Sequence, residues 1–186
     1  MSLSHRPTAL PEVWVLGHAV HEDARGRFEE LWRAEDYAAL GVPPFVQDNA
    51  SRSEAGVVRG LHYQWPRPQG KLVSVLAGAI WDVVVDVRRG SPRFARWVAV
   101  PLAAGGGQQL WVPPGFAHGF AVLEAPAIVH YKATTAWDPD AERALAWDDP
   151  DVGVAWPLSA PHLSQRDAGA PRLAALAARG ALPGDP

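Results

Sequence analysis

The stretch IWDVVVDVR, residues 80–88, alternates two kinds of position along its length. Positions 81, 83, 85 and 87 carry a tryptophan and three valines, whereas the positions between them carry Asp82, Val84 and Asp86. Side chains that repeat every two residues lie on the same face of a β-strand, because successive side chains point to opposite faces. The stretch therefore predicts a strand with one wholly apolar face.

Short periodic segments of this kind, separated by glycine and proline, follow one another along most of the chain. They are EVWVLG, GRFEELW, GVVRGLHYQ, KLVSVLAGAIWDVVVDVRR, RWVAVPL, QQLWVPP, HGFAVLE and AIVHYKATTAW. Within the longest of them, the break LAGAIWD predicts a turn at Gly78 that joins two strands. Many short strands with turn residues at intervals of about 8–12 residues favour an all-β sandwich or barrel.

Helix signals are few. The segment RAEDYAAL, followed by Gly41, predicts one short helix, and PRLAALAARG predicts another between Pro171 and Gly180. We expect the last residues, ALPGDP, to form a mobile tail. Because no linker-like composition interrupts the chain, we expect residues 1–186 to form a single domain with its core over about residues 5–180.

The composition excludes several classes of protein. Apolar residues make up 48% of the chain and charged residues 20%, which is typical of a soluble globular domain, and no run of about 18 apolar residues could cross a membrane. The chain has no cysteine and its first residues lack the order of a secretion signal, so we expect a cytoplasmic protein without disulfides. A net charge of −3 argues against a general nucleic-acid binder.

The segment RGLHYQ, residues 59–64, raises the question of what His62 does, since an imidazole can be a metal ligand, a core residue or a base. The segment PPGFAH, residues 113–118, has the P-x-G-x-x-H spacing of a motif of cupin barrels in which the histidine often ligates a metal. The partner motif should read H-x-H followed by glutamate, but the position two residues after His62 is Gln64. Two histidines without a further ligand make a poor site, so we expect no metal.

Six segments, in a fixed order, carry a resemblance to a known family. They are DARGRFEELW, FVQDNASRSEAGVVRGLHYQ, QGKLVSVLAGAIWDVVVDVR, LWVPPGFAHGFAVL, YKATTAWDPDAER and LSQRD. Together they resemble the dTDP-4-dehydrorhamnose 3,5-epimerases over roughly residues 14–172. The resemblance implies a cupin-like jelly-roll β-barrel with a few short helices, a homodimer that exchanges an N-terminal strand, and catalysis without metal or organic cofactor. It also implies epimerisation of dTDP-4-keto-6-deoxy-D-glucose at C3 and C5 to dTDP-4-keto-L-rhamnose, through enolate intermediates.

Four residues match the family's catalytic positions. The resemblance implies that His62 removes a proton from a carbon next to the C4 keto group, a task suited to imidazole because its pKa lies near ambient pH. Asp167, from LSQRD, matches the carboxylate that orients His62 and stabilises its protonated form. Tyr131 matches the general acid that protonates the opposite face, and Lys71 matches the cation near the keto oxygen, where enolate charge develops.

Further positions match the family's substrate contacts. Arg25 and Arg59 match contacts to the diphosphate, which guanidinium groups bind well. The matched contacts to nucleotide and sugar are Glu30, Gln47, Asn49, His118 and Glu142. Trp137 stands where the family commonly has a tyrosine that stacks on thymine, and Arg166 stands where a lysine is common. Indole can stack equally well, but Arg and Lys differ in geometry, so the exact sugar stays open.

Other interpretations remain open at this point. A single-position epimerase, acting at C3 or at C5 alone, would carry the same motifs, and a metal-dependent oxygenase or a sugar-nucleotide binding protein could use the same barrel. Taken alone, Tyr131, Lys71 and Arg25 fit a strand aromatic, an edge charge and a turn residue. Inward carboxylates can do acid–base work, but for Asp82 and Asp86 we favour structural hydrogen bonding. The remaining histidines carry no signal.

Overall fold

The computed structural model describes residues 3–184, in which eleven strands and three short helices are found. The strands are β1 (Ser4–Pro7), β2 (Trp14–Gly17), β3 (Val20–Asp23), β4 (Gly26–Glu29), β5 (Gln47–Ser53), β6 (Val58–Gln64), β7 (Lys71–Asp86), β8 (Trp97–Ala103), β9 (Gln108–Val112), β10 (Phe116–Ala133) and β11 (Glu142–Ala144). The helices are α1 (Ala34–Ala39), α2 (Gln165–Ala168) and α3 (Leu173–Ala178). The predicted all-β class is therefore confirmed.

Two long strands, β7 and β10, join the two halves of the barrel. They pair with each other antiparallel along their length. The first part of β7 pairs with β9 and its second part with β8, while β10 pairs first with β6 and then with β5. β2 links β1 to β9, and β11 lies beside β6. This folded-over sheet is the cupin-like jelly roll that the resemblance implies.

The predicted turn at Gly78 is wrong, because β7 continues through this residue without interruption. Gly78 instead bends the strand with a φ of 68°, in the left-handed region that favours glycine. A Cβ at this position would overlap the carbonyl oxygen of Glu124 on β10. The register of β10 shifts beside the bend, between Val122 and Val129, so both strands turn together from one half of the barrel to the other.

The alternation of residues 80–88 is confirmed by the packing. Val84 belongs to a cluster of buried side chains, here called the barrel core, to which both halves contribute, for example Val73 and Phe120. Val83 and Val85 belong to a second cluster, the flanking core, which lies under the C-terminal segment. One strand thus separates the two cores.

The two predicted helices are confirmed as α1 and α3. The expected mobile tail is wrong for the part of it that the structure describes, because Leu182 is only 2% exposed and belongs to the flanking core. The Tyr63 hydroxyl donates to the carbonyl oxygen of Ala181 at 3.1 Å. The backbone N–H of Arg89 donates to the carbonyl oxygen of Pro183 at 3.0 Å. Burying a leucine stabilises a fold by about 1.5–3 kcal/mol, which explains why the segment docks. The tail's last two residues lie outside the described part.

Candidate active site

Two histidines lie side by side on neighbouring strands. His62 of β6 is the cross-strand partner of His118 of β10. The strands approach closely here because both have a glycine: a Cβ on Gly60 would lie 2.6 Å from the Cα of Gly119. Gly60 also has a φ of 101°, which favours glycine. The close approach brings both imidazoles to the same cavity.

The His62 ring is held by a carboxylate from the C-terminal segment. Nε2 of His62 lies 2.6 Å from Oδ1 of Asp167. Asp167 is 4% exposed and lies in α2, whose N-cap Ser164 accepts a hydrogen bond from its N–H at 3.0 Å. Burial raises the pKa of Asp167, but hydrogen bonds from His62, Ser164 and the Gly60 backbone outweigh it and lower the pKa overall. An ionised Asp167 accepts the Nε2 proton, which leaves Nδ1 of His62 as the basic nitrogen.

Lys71 and Tyr131 project into the same space from β7 and β10. The Lys71 ammonium lies 5.9 Å from the centre of the Tyr131 ring. Burial lowers the pKa of Lys71 to about 8, against the opposing effect of the charges on Glu142 and Asp82. Burial also raises the pKa of the Tyr131 hydroxyl, assisted by Glu142 and opposed by Arg59. Near neutral pH the pair is therefore a cation beside a protonated phenol.

These groups line a cavity of about 510 Å³, here called the main cavity, which includes His62, Lys71, Tyr131 and Asp167. All four predicted catalytic residues thus meet in one place. The predicted substrate contacts that line the main cavity are Arg59, His118, Glu142 and Arg166. A volume of this size suits a small-molecule ligand.

A smaller space of about 330 Å³, here called the side cavity, shares His62, Lys71, Tyr131 and Glu142 with the main cavity. Its own lining includes three predicted contacts, Gln47, Asn49 and Trp137. The shared residues show that the two cavities adjoin each other at the histidine, lysine and tyrosine.

Glu142 connects the rims of the two cavities. Its Oε2 accepts hydrogen bonds from Nη1 of Arg166 at 2.5 Å and from the indole Nε1 of Trp137 at 2.9 Å. Burial raises the pKa of Glu142, but these two hydrogen bonds outweigh it and the pKa is lowered. The backbone N–H of Trp137 donates to Oε1 of Gln47 at 2.7 Å, and Nε2 of Gln47 donates to Asn49 at 3.0 Å. These hydrogen bonds to the backbone N–H and the indole Nε1 hold Trp137 in place. The residue is 54% exposed, so an indole face is available for stacking.

Two predicted substrate contacts do not line either cavity. Arg25 lies at the turn of the β3–β4 hairpin, which pairs with no other strand among residues 3–184. Its guanidinium is 90% exposed and pairs with Asp23 at 2.6 Å. Glu30 follows the hairpin and pairs with Arg33 at 2.8 Å. The single chain therefore does not bring Arg25 and Glu30 to the site.

Sequence reasoning missed several residues of the cavities. His162, Ser51 and Ser164 line the main cavity, and Asp82 binds His118 from behind. The signal for the close approach of the strands was a glycine near each histidine, Gly60 two residues before His62 and Gly119 directly after His118. No group of three or more potential ligands is arranged around a metal within residues 3–184, and no helix of that range is long and apolar enough to span a bilayer.

Comparison with known proteins gives a consistent result. The family model described as dTDP-4-dehydrorhamnose 3,5-epimerase matches residues 7–175. A curated relative of that name from Pseudomonas aeruginosa is 48% identical over 162 residues, covering 86% of this chain and 90% of the relative. The solved dTDP-6-deoxy-D-glucose-3,5-epimerase from Legionella pneumophila, in complex with dTDP-4-keto-L-rhamnose, is 44% identical with a TM-score of 0.95 and full coverage of both chains. A 3′-monoepimerase from Streptomyces bikiniensis, in complex with dTDP-quinovose, is 37% identical with a TM-score of 0.89, covering 96% of this chain and 92% of that one.

Proposed function

The chain belongs to the dTDP-4-dehydrorhamnose 3,5-epimerase family, and from this premise we propose that it inverts C3 and C5 of dTDP-4-keto-6-deoxy-D-glucose to give dTDP-4-keto-L-rhamnose. The observation that carries the proposal is the meeting of His62, Asp167, Lys71 and Tyr131 in one cavity. Binding alone needs no base with an orienting carboxylate, so this arrangement favours a catalyst over a sugar-nucleotide binding protein.

The first chemical step is removal of a proton from the carbon next to the keto group. Nδ1 of His62 takes this proton, since Nε2 is engaged by Asp167 at 2.6 Å. The ionised carboxylate then stabilises the imidazolium that forms. The electron pair left by the C–H bond moves into an enolate, whose oxygen was the C4 keto oxygen.

The second step needs charge stabilisation and a proton donor. The Lys71 ammonium, partly buried and close to Tyr131, stabilises the negative oxygen, which develops its charge only as the enolate forms. Tyr131 then delivers a proton to the face opposite His62 and inverts the carbon. The protonated His62 then loses its proton to solvent and the ionised Tyr131 takes one up, after which the same sequence at the carbon on the other side of the keto group gives the double epimer.

Solvent exchange tests the proposal. Proton NMR of dTDP-4-keto-6-deoxyglucose with the enzyme in heavy water should show deuterium at both C3 and C5, and a product of inverted configuration at both. Deuterium and inversion at one carbon would instead identify a single-position epimerase, an outcome that the similarity to a 3′-monoepimerase makes worth measuring. No exchange at either carbon would contradict the proposed reaction.

The pH dependence of kcat/KM should report the protonation state of Lys71. Because burial lowers its pKa to about 8, Lys71 is cationic below this pH and neutral above it. We expect kcat/KM, which reports groups of the free enzyme, to fall with a midpoint near pH 8, since a neutral amine stabilises the enolate poorly. Tyr131 does not produce this fall, because its pKa is raised above the ordinary value.

The Lys71→Arg variant is the control for the fall in activity near pH 8. Arginine stays protonated to above about pH 12, so the fall near pH 8 should disappear even if the overall rate is lower. An unchanged midpoint in this variant would assign the titration to another group.

For the assembly, we propose a homodimer in which the hairpin of one subunit brings Arg25 to the site of the other. Support comes from the exposed position of Arg25 and from Phe28 on the same hairpin, which is 66% exposed. Phosphate groups of a dTDP-sugar would then meet Arg59 of one subunit and Arg25 of the other. The cytoplasmic location and the absence of nucleic-acid and membrane partners stay predictions from the composition.

Complementation tests this arrangement. Arg25→Ala and His62→Asn should each be weakly active, but equal mixtures that exchange subunits should recover about a quarter of the wild-type activity, because half the dimers are mixed and each of these has one intact site. If Arg25 acts within its own subunit, no mixed dimer has an intact site and mixing recovers nothing.

A further inference from the structure

Asp82 is a carboxylate inside the apolar barrel core. It is 0% exposed and shares the inward face of β7 with Ile80 and Val84, which belong to that core. Its Oδ1 lies 2.5 Å from Nε2 of His118. Its Oδ2 is buried and has no hydrogen-bond partner among residues 3–184. A valine in place of Asp82 would pack beside Ile80 and Val84 without leaving a polar atom unpaired.

Asp86, on the same strand and also 0% exposed, shows what a structural carboxylate looks like in this fold. Its Oδ1 accepts from the backbone N–H and Nε of Arg88, and its Oδ2 accepts from Nη2 of Arg88 and from Ser91. Both oxygens are satisfied, so our sequence-based interpretation is supported for Asp86. Asp82 has one partner only, and burying a half-satisfied carboxylate costs stability. That cost indicates a purpose other than folding.

The one partner of Asp82 lines the main cavity. Oδ1 of Asp82 accepts the Nε2 proton of His118, so the ring is fixed in one tautomer and Nδ1 is the nitrogen left for a ligand. His118 is 7% exposed and is the cross-strand partner of His62. The charge of Asp82 also favours the ammonium form of Lys71. Asp82 therefore acts on two groups that line the cavity without lining it itself.

We propose that Asp82 is a positioning residue for the epimerisation, which acts by fixing the tautomer and orientation of His118. The proposal rests on the proposed function, because it takes His118 to be a contact to the sugar in the reacting state. A carboxylate that orients a histidine from behind typically contributes about 10–100-fold to affinity or activity, by analogy with the outer partners of metal-bound histidines. This gives the cavity a second histidine–carboxylate pair beside His62 and Asp167.

Steady-state kinetics of Asp82→Asn test the role. An amide has nearly the same shape but carries no negative charge, so it accepts the Nε2 proton of His118 less strongly, and it can also turn its nitrogen toward the ring, which favours the other tautomer. We expect kcat to fall about 10–100-fold with KM changed by less than about 3-fold. The double variant Asp82→Asn/His118→Ala should be no more than about 2-fold slower than His118→Ala alone, because each change removes the same interaction between Asp82 and His118.

The matched control is Asp86→Asn, which makes the same chemical change on the same strand outside the cavities. It should lower stability but leave kcat of the folded enzyme within about 2-fold.

A second measurement does not depend on how well the Asp82→Asn variant folds. In ¹⁵N-histidine NMR of the wild-type enzyme, the His118 signals, assigned from their loss in His118→Ala, should show a protonated Nε2. A bare Nε2 with the proton on Nδ1 would overturn the proposal, as would wild-type kcat in Asp82→Asn or rate losses that multiply in the double variant. A wild-type enzyme that exchanges no proton of the sugar would overturn the proposed function, whereas an active wild type beside a fully active Asp82→Asn would overturn the positioning role alone.

Discussion

Substituting His62 with asparagine is expected to lower kcat by about 1,000-fold, within the range of about 10²–10⁴ that a positioned general base contributes. Asparagine keeps the polarity and much of the volume of the ring but cannot take a proton near neutral pH. Affinity for dTDP should change by less than about 3-fold, because His62 acts on the sugar and not on the nucleotide. Turnover of dTDP-4-keto-6-deoxyglucose and calorimetric titration with dTDP measure the two quantities separately.

His130 provides the matched control for this substitution. It lies on β10, pairs with Asp48 at 3.8 Å and lines neither cavity. His130→Asn should therefore retain kcat within about 2-fold, as is usual for changes away from a site. Full activity of His62→Asn would remove this residue from the mechanism, and a parallel loss of dTDP affinity would indicate a collapsed cavity instead of a missing base.

The strand over residues 80–88 was predictable because one of its faces is wholly apolar. Val83 and Val85 on that face enter the flanking core, whereas Val84 on the other face enters the barrel core. β5, with the sequence QDNASRS, was missed because its partly buried face carries Gln47, Asn49 and Ser51, which line the two cavities. An inward face that is polar because it meets a ligand has no hydrophobic periodicity to detect. The bend at Gly78 was predicted as a turn because a lone glycine indicates a special φ but does not show whether the strand pairing continues through it.

The residues that line the two cavities were predictable in large part. The resemblance named the residues, and the structure brings His62 and Asp167 together although 105 positions separate them. Arg25 and Glu30 line neither cavity of the single chain, and their sequence context does not tell where their side chains lie. The sequence does not distinguish Asp82 from Asp86, because both lie on the same face of one strand, and the two differ only in the structure, where Asp82 contacts His118 and keeps one oxygen without a partner.

Tyr131→Phe should separate proton exchange from inversion. Without the phenol, His62 can still remove a proton from the sugar and return it to the same face, and in heavy water it returns a deuteron. We expect inversion to fall by about 100-fold or more, the usual contribution of a general acid, while deuterium still enters with retained configuration. Proton NMR in heavy water follows both processes in one sample, because loss of the C3 and C5 proton signals of the substrate reports exchange and new product signals report inversion.

The control for this substitution is Tyr63→Phe, which makes the same chemical change on β6 next to His62. The Tyr63 hydroxyl donates to Ala181 at 3.1 Å and its ring packs in the flanking core, away from the cavities. Losing this hydrogen bond should cost about 1 kcal/mol of stability and leave the ratio of exchange to inversion unchanged. If Tyr131→Phe loses exchange and inversion in the same proportion, the phenol serves the first proton transfer and the acid on the opposite face is another group. If exchange persists while inversion fails, the two faces of the sugar are served by different residues, and His62 and Tyr131 are assigned to opposite sides of the enolate.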